Sequence, residues 1–280
     1  MRLFFSAILA LAMMASGPSW AQDRLQAFNQ FDESGDVVVD HSAYAAFLTR
    51  YLRVTEDDRT VVAYGDVTDG DREALKSYIR ALEAVDPTAL GRDEAFAYWA
   101  NFYNALTLDV VLGRYPVGSI LRITSGLRPG PWKRKLVTVN GQRLSLDNME
   151  HGILRAFFDD NRVHYAVNCA SYGCPNLAEK PFTGATLDAM LDRGARRFIN
   201  HPRGVSVENG EVSASSIYKW FREDFGDSEA GVLAHFRQYA DENLKAQLDG
   251  VAEIEDHRYD WSLNDAKDEA GDLVSLAASP

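Results

Sequence analysis

Cysteine is scarce in this chain. Its 280 residues include two, both in the segment Asn168-Cys169-Ala-Ser-Tyr-Gly-Cys174-Pro175. That excludes a disulfide-dense scaffold and a four-cysteine zinc site. Basic charge is also in deficit, with 29 Lys and Arg against 41 Asp and Glu and a net charge of −12. No sustained basic stripe offsets it, so neither nucleic acid nor an anionic membrane is an expected partner. There is no internal repeat and no low-complexity tract. No Gly-rich phosphate loop follows a strand, and no G-x-S-x-G elbow is present. Asp32-Glu-Ser-Gly35-Asp36 has its glycine misplaced and no closing Glu, so it is not a calcium loop. The one long apolar run is Leu3 to Ala15, shorter than the ~20 residues of a membrane span. With Arg2 before it and Ser19-Trp20-Ala21 after it, it reads as a signal peptide over 1–21. No cysteine lies near that cleavage site to carry a lipid. The expected location is periplasmic or secreted, with no membrane insertion after cleavage.

What remains is about 260 residues, enough to bury a core without staples. Tyr44, Phe47, Leu48 and Tyr51 repeat at helical spacing after Asp40-His41-Ser42. Asp71 to Glu83 is a second helix. Arg92 to Leu112 is the strongest helical pattern, apolar nearly all round and ended by Gly113, which predicts a central buried helix. Lys135 to Val139 and Gln142 to Leu144 flank Asn140-Gly141, the preferred pair for a type I′ hairpin turn. Ser145 caps the next helix, Leu146 to Phe158. Val163 to Asn168 alternates and reads as a strand leading into the cysteine loop. Thr186 caps a further helix, a second hairpin turns at Asn209-Gly210, and helices follow over Ser215 to Phe225 and Ser228 to Tyr239. Tyr259-Asp260-Trp261 ends a last strand. Helices and hairpins intermix without βαβ alternation, so the fold class is α+β: a helix-rich single domain over 22–264 with a small antiparallel sheet. Residues 265–280 read as a disordered acidic tail.

The cysteines carry the functional question. A thiolate is a competent nucleophile, but an ordinary thiol near pKa 8.5 is mostly protonated at neutral pH and needs a base or a positive partner. A residue just past a strand projects at a sheet end. Equally, two cysteines five positions apart can close a loop by a disulfide in an oxidising compartment. The spacing is not C-x-x-C, which disfavours a thioredoxin-type redox motif. Asn101 and Asn104 share one face of an apolar helix; they either tie down backbone or orient a catalytic group. Trp99, Trp132, Trp220 and Trp261 are most simply core, although Trp132 in its Gly/Pro loop could line a cleft. A zinc site from Cys169, Cys174, His151 and His164 has suitable ligand types but no ligand-like histidine spacing. No metal and no cofactor are expected.

Five motifs in one order resemble the domain of unknown function 547 family. They are Trp99-Ala-Asn101-Phe-Tyr103-Asn104-Ala-Leu, Tyr115-Pro116-Val-Gly-Ser-Ile120, Leu144-Ser-Leu-Asp147-Asn-Met-Glu150-His151-Gly-Ile-Leu-Arg155, the cysteine segment, and Tyr218-Lys-Trp220-Phe-Arg-Glu-Asp-Phe225-Gly226. The resemblance spans roughly Asp40 to Asn264. It implies kinship with papain-like and transglutaminase-like cysteine enzymes, in a permuted papain-like arrangement. It also implies that Cys169 is the functional thiol and Cys174 an accessory loop residue or redox guard. His151, in the motif, is the expected base, with Asp147, Glu150 or Asn104 to orient it and backbone N–H groups near Cys169 to bind an oxyanion. Asp147 lies four residues earlier on the same helical face, and Arg155 is the expected partner of Glu150. His164 is the rival, set back by ~16 Å of strand rise. The expected chemistry is cysteine-dependent acyl transfer or amide hydrolysis on a small-molecule or peptide substrate. The alternative is a non-enzymatic periplasmic binding module with a Cys169–Cys174 disulfide.

Overall fold

A computed structural model of the chain describes residues 25–269 apart from Gly35, Ser125, Leu127 and Arg128, together with Leu273 and Val274. The expected signal peptide, 1–21, lies outside the described residues. The first two long helices are α1, Ser42–Tyr51, and α2, Asp69–Glu83, whose N-terminus is capped by the Thr68 side chain accepting from Asp71 N. The third, α3, is Arg92–Leu112, with the bounds its sequence predicts. Asp93 and Glu94 in its first turn suit the positive end of the helix dipole. Because α3 is apolar on every face, every face is covered: Trp99, Tyr98, Phe96 and Phe102 are all buried. Each such side chain contributes about 1.5–3 kcal/mol on leaving water.

Helix α4 runs in three continuous pieces, Leu146–Met149, Glu150–Leu154 and Arg155–Phe158. The middle piece is a π-bulge. Ser145 and Asn148 form a reciprocal capping box at its start. The remaining helices are α5, Val163–Ala166; α6, Leu187–Ile199; α7, Ile217–Trp220; α8, Glu229–Tyr239; and α9, Glu242–Gln247. Ser228 caps α8, but Thr186 makes no side-chain cap on α6; its hydroxyl turns to Thr183 and Met190 instead. Only the first turn of the helix expected over Ser215 to Phe225 is α-helical; Arg222–Phe225 tightens to 3₁₀ and ends at Gly226, φ 88°.

Among the described residues the sheets are three and small. β1, Leu52–Thr55, pairs antiparallel with β2, Thr60–Val62. β3, Val137–Val139, and β4, Gln142–Leu144, form a hairpin turned at Asn140 (φ 46°) and Gly141 (φ 75°), as Asn-Gly requires. β5, Val205–Glu208, and β6, Glu211–Ser215, form the second hairpin, and β7, Asp256–Arg258, joins β6 in parallel. The single antiparallel sheet of the sequence reading is therefore three separate sheets, one of them mixed. The α+β class and the helix-rich single domain hold.

Apolar side chains gather in two cores. One surrounds α3 and draws on α1, α2 and α4. The other is built from α8, the β5–β6 hairpin and Tyr218, with Phe236 at its centre. Helix α6 belongs to both: Leu187 and Leu191 enter the first, Ala195, Phe198 and Ile199 the second. The tail begins later than its composition suggests. Ala266–Glu269 is a 3₁₀ turn held by Glu269, whose carboxylate accepts from Arg59 Nη1 and Nη2 at 2.8 and 2.9 Å, and β8, Leu273–Val274, pairs with β1. No helix among the described residues is long and apolar enough to cross a membrane.

Candidate active site

The segment before the cysteines is helical, not a strand. Val163, His164, Tyr165 and Ala166 make one turn, α5, and all four are buried. With both sides covered, their alternation in type carried no information about a sheet face. Val167 then extends the chain, and α3 fixes it from below. Asn104 Nδ2 donates to Ala166 O and its Oδ1 accepts from Asn168 N, both at 2.8 Å. Asn101 makes the same reciprocal pair with Phe182, at 2.8 and 3.0 Å. Both asparagines therefore tie down backbone. Asn104 supports the cysteine loop and makes no contact with His151. Asn168 closes that loop, donating to Pro175 O and accepting from Ala170 N at 2.8 Å each. Ala170 pays for the tight path with a left-handed φ of 60°.

Both sulfurs are free thiols, and they lie 2.7 Å apart. The Tyr259 hydroxyl sits 3.2 Å from each, and Ser171 Oγ lies 2.7 Å from that hydroxyl and 3.2 Å from Cys169 Sγ. The donors favour one sulfur. Cys174 Sγ also receives the Cys169 backbone N–H at 3.1 Å. Burial alone would raise the Cys174 pKa, but hydrogen bonds from Cys169, Tyr259 and Ser171 outweigh it and push it down to about 6. Cys169 is driven the other way, first by its hydrogen bond to Cys174 and then by burial. The two sulfurs therefore titrate as a pair, and the added Cys169 backbone N–H favours the charge on Cys174. Cys174 is not a bystander in this loop. Cys169 is the more exposed of the two.

The expected oxyanion donors are occupied. Backbone N–H groups of Cys169, Ala170, Tyr172, Gly173 and Cys174 go to Cys174 Sγ, Asn168 Oδ1, Ser262 O, Asp260 O and Ser171 O. The Tyr259 and Ser171 hydroxyls each lie 3.2 Å from Cys169 Sγ.

The two thiols open into a cleft of about 280 Å³ that both His151 and His164 also line. The cleft runs between the two cores. Tyr103 and Val167 come from the first, Ile217 from the second. Trp132, Trp220, Trp261 and Tyr259 form a continuous aromatic wall, with Trp220 packed 4.8 Å from Tyr259 and 5.7 Å from Trp261 between ring centres. Trp220 is 47% exposed, so it is a cleft-mouth residue and not core.

His151 lies on the π-bulge of α4, a backbone irregularity common at functional sites. Its acids stand off. Asp147 Oδ1 is 3.9 Å from Nε2 and Glu150 Oε1 is 3.9 Å from Nδ1, too far for hydrogen bonds. Arg155 Nη1 instead donates to Nδ1 at 3.2 Å, which puts the proton of the neutral ring on Nε2. Arg155 does not pair with Glu150; it binds Asp224 at 2.5 Å and Glu223 at 2.6 Å. Glu150 lies beside the Tyr103 hydroxyl.

His164 has the orienter that His151 lacks. Its Nε2 donates to Asp224 Oδ2 at 2.7 Å, and its ring stacks on Phe221 with centres 4.5 Å apart. Burial would raise the Asp224 pKa, but His164 and Arg155 hold the carboxyl well below the usual carboxylate range. Nδ1 of His164 has no hydrogen bond among the described residues and so keeps a free lone pair. The strand-rise argument against His164 fails, because a helical turn shortens the path to Cys169.

The motif-bearing middle of the chain, residues 87–199, matches the family model described as Protein of unknown function, DUF547. These residues are similar to the DUF547 family. They hold both cysteines, both cleft histidines and both asparagines; the fifth motif, Tyr218 to Gly226, which supplies Trp220 and Asp224, lies beyond the matched residues. No curated protein and no solved structure matches the chain.

Proposed function

We propose that this chain is a secreted cysteine-dependent enzyme of acyl transfer or amide hydrolysis, with Cys169 as its nucleophile. The observation that carries the reading is the close sulfur pair, cradled by donors and facing a cleft that also holds a carboxylate-oriented histidine. Attack by Cys169 on a substrate carbonyl passes its proton across the 2.7 Å contact to Cys174, from which it leaves with the departing group. The Tyr259 hydroxyl is positioned to donate to the developing oxyanion. His164, held by Asp224, serves as base for the water that cleaves the thioester. His151 is the secondary choice, since Arg155 occupies the nitrogen a base would use. The aromatic wall suits a small-molecule or peptide substrate with an apolar group beside the carbonyl.

The closeness of the sulfurs also favours a second reading, a binding module whose cysteines bridge on oxidation. One experiment separates the two. The mature protein, isolated under non-reducing conditions from its own compartment, is alkylated and mass-mapped. Free Cys169 that alkylates at neutral pH supports the enzyme. A complete Cys169–Cys174 bridge refutes it.

A further inference from the structure

Behind Cys174, on the side away from the cleft, lies Arg203. Its Nη1 donates to Tyr172 O at 3.0 Å and its Nη2 to Asn176 Oδ1, so the guanidinium clamps the loop two residues before and two residues after Cys174. Its Nε is shut from solvent without a partner. No carboxylate lies within ion-pair distance of it among the described residues. Those nearby are engaged. Asp57 pairs with Arg59 at 2.7 Å and faces His201 at 3.4 Å, and Glu269 is held by the same Arg59. Asp260, across a second cavity that Arg203 also lines, accepts from Ser262, and Arg258 there pairs with Asp256. A poorly solvated cation without an anion is costly, and the cost is relieved only by a counter-charge. The ionisable group at the centre of the loop it brackets, between Tyr172 and Asn176, is Cys174. Burial pushes the Arg203 guanidinium down to about 10, and the attraction of Cys174 is the largest influence opposing that shift; Arg59 repels it, and Tyr172 and Asp57 attract it more weakly.

We propose that Arg203 is a positioning residue of the thiol pair: its carboxylate-free guanidinium, clamped across the Cys174 loop, adds a positive charge to the hydrogen-bond donors that favour the ionised pair. The inference deepens the thiol chemistry proposed above and rests on that reading for its purpose. It is absent from any local motif, because Arg203 lies outside the residues that match the DUF547 model and meets the loop through residues 27 and 31 positions away.

The test is the ionisation of the reduced full chain, followed by ultraviolet thiolate absorbance and by the rate of iodoacetamide alkylation against pH. In the native protein the first midpoint falls near 6. Arg203→Met raises it by about one pH unit, roughly a tenfold loss of thiolate below the midpoint. Arg203→Lys keeps the charge and Asn176→Ala loosens the clamp without removing it, so both hold the low midpoint. Should Arg203→Met fail to fold, Arg203→Gln keeps a donor toward Tyr172 O and gives the same reading. An unchanged midpoint in the charge-removing variant overturns the inference, as does an equal rise in Asn176→Ala, which would make the effect one of loop geometry. If Cys169 resists alkylation at every pH, the catalytic reading fails on its own, while the absorbance titration still decides Arg203.

Discussion

The two sides of the cleft handle charge in opposite ways. On the thiol side, two ionisable sulfurs meet hydroxyls, a backbone N–H and a guanidinium without a carboxylate. On the histidine side, His151, His164 and Arg155 meet four acids: Asp147, Glu150, Glu223 and Asp224. The first surroundings lower the cost of an anion, the second that of a cation. The thiol side is thus suited to hold a negative charge and the histidine side a positive one.

Breaking the thiol side has the largest expected effect. Cys169→Ala abolishes acyl transfer and leaves only the buried Cys174 for alkylation. Cys174→Ser removes the sulfur that carries the low-pH ionisation, so the midpoint of the pair rises from about 6 toward the ordinary ~8.5, about thirtyfold less thiolate at pH 7. Alkylation rates across pH check both; a Cys174→Ser profile that overlays the native one refutes the shared-proton arrangement.

On the histidine side, Asp224→Asn leaves Arg155 and His164 without their common carboxylate and lowers stability at pH 7 by about 1–3 kcal/mol. The sign against pH follows from the folded pKa lying below the unfolded one. The contribution of Asp224 is complete above the unfolded value, near 3.9, and is lost as the pH falls from there toward the folded value. The gap in melting temperature between native and variant proteins therefore closes in strong acid. A gap that persists there assigns the loss to packing. His164→Ala slows thioester hydrolysis more than His151→Ala, which single-turnover release of an acylated Cys169 can measure; the reverse order restores His151 as the base.

How far this was legible in the sequence depended on range. Local signals spoke clearly: the all-round apolarity of α3, Asn140-Gly141 and Asn209-Gly210 in their hairpins, and Ser145 at the start of α4. The cysteine loop and His151 were also found, because they stand in motifs. What failed was reading alternation as a strand at Val163, where burial on every side removes the contrast that makes period two meaningful. Asp147 and His151 do share a helical face, but at 3.9 Å between Oδ1 and Nε2 they are not hydrogen-bonded. Tyr259, Asp224 and Arg203 left no local trace at all. Tyr259 is 90 positions from Cys169 and Asp224 is 60 from His164, so only the folded chain brings these partners together.

The smallest expected effect tests the strain within the thiol side. Ala170 holds a left-handed φ of 60° and is fully buried. Ala170→Gly relieves about 1–2 kcal/mol of backbone strain. It also gives up about 0.8 kcal/mol of methyl burial and about 0.5–1 kcal/mol of chain entropy. These nearly cancel, so stability should change by less than about 1 kcal/mol. The Ala170 N–H to Asn168 survives the change, and with it the loop that holds the sulfurs together, so the alkylation midpoint should not move. A midpoint that rises in Ala170→Gly would mean that the strained Ala170 backbone, and not the donors around Cys174, sets the ionisation of the pair.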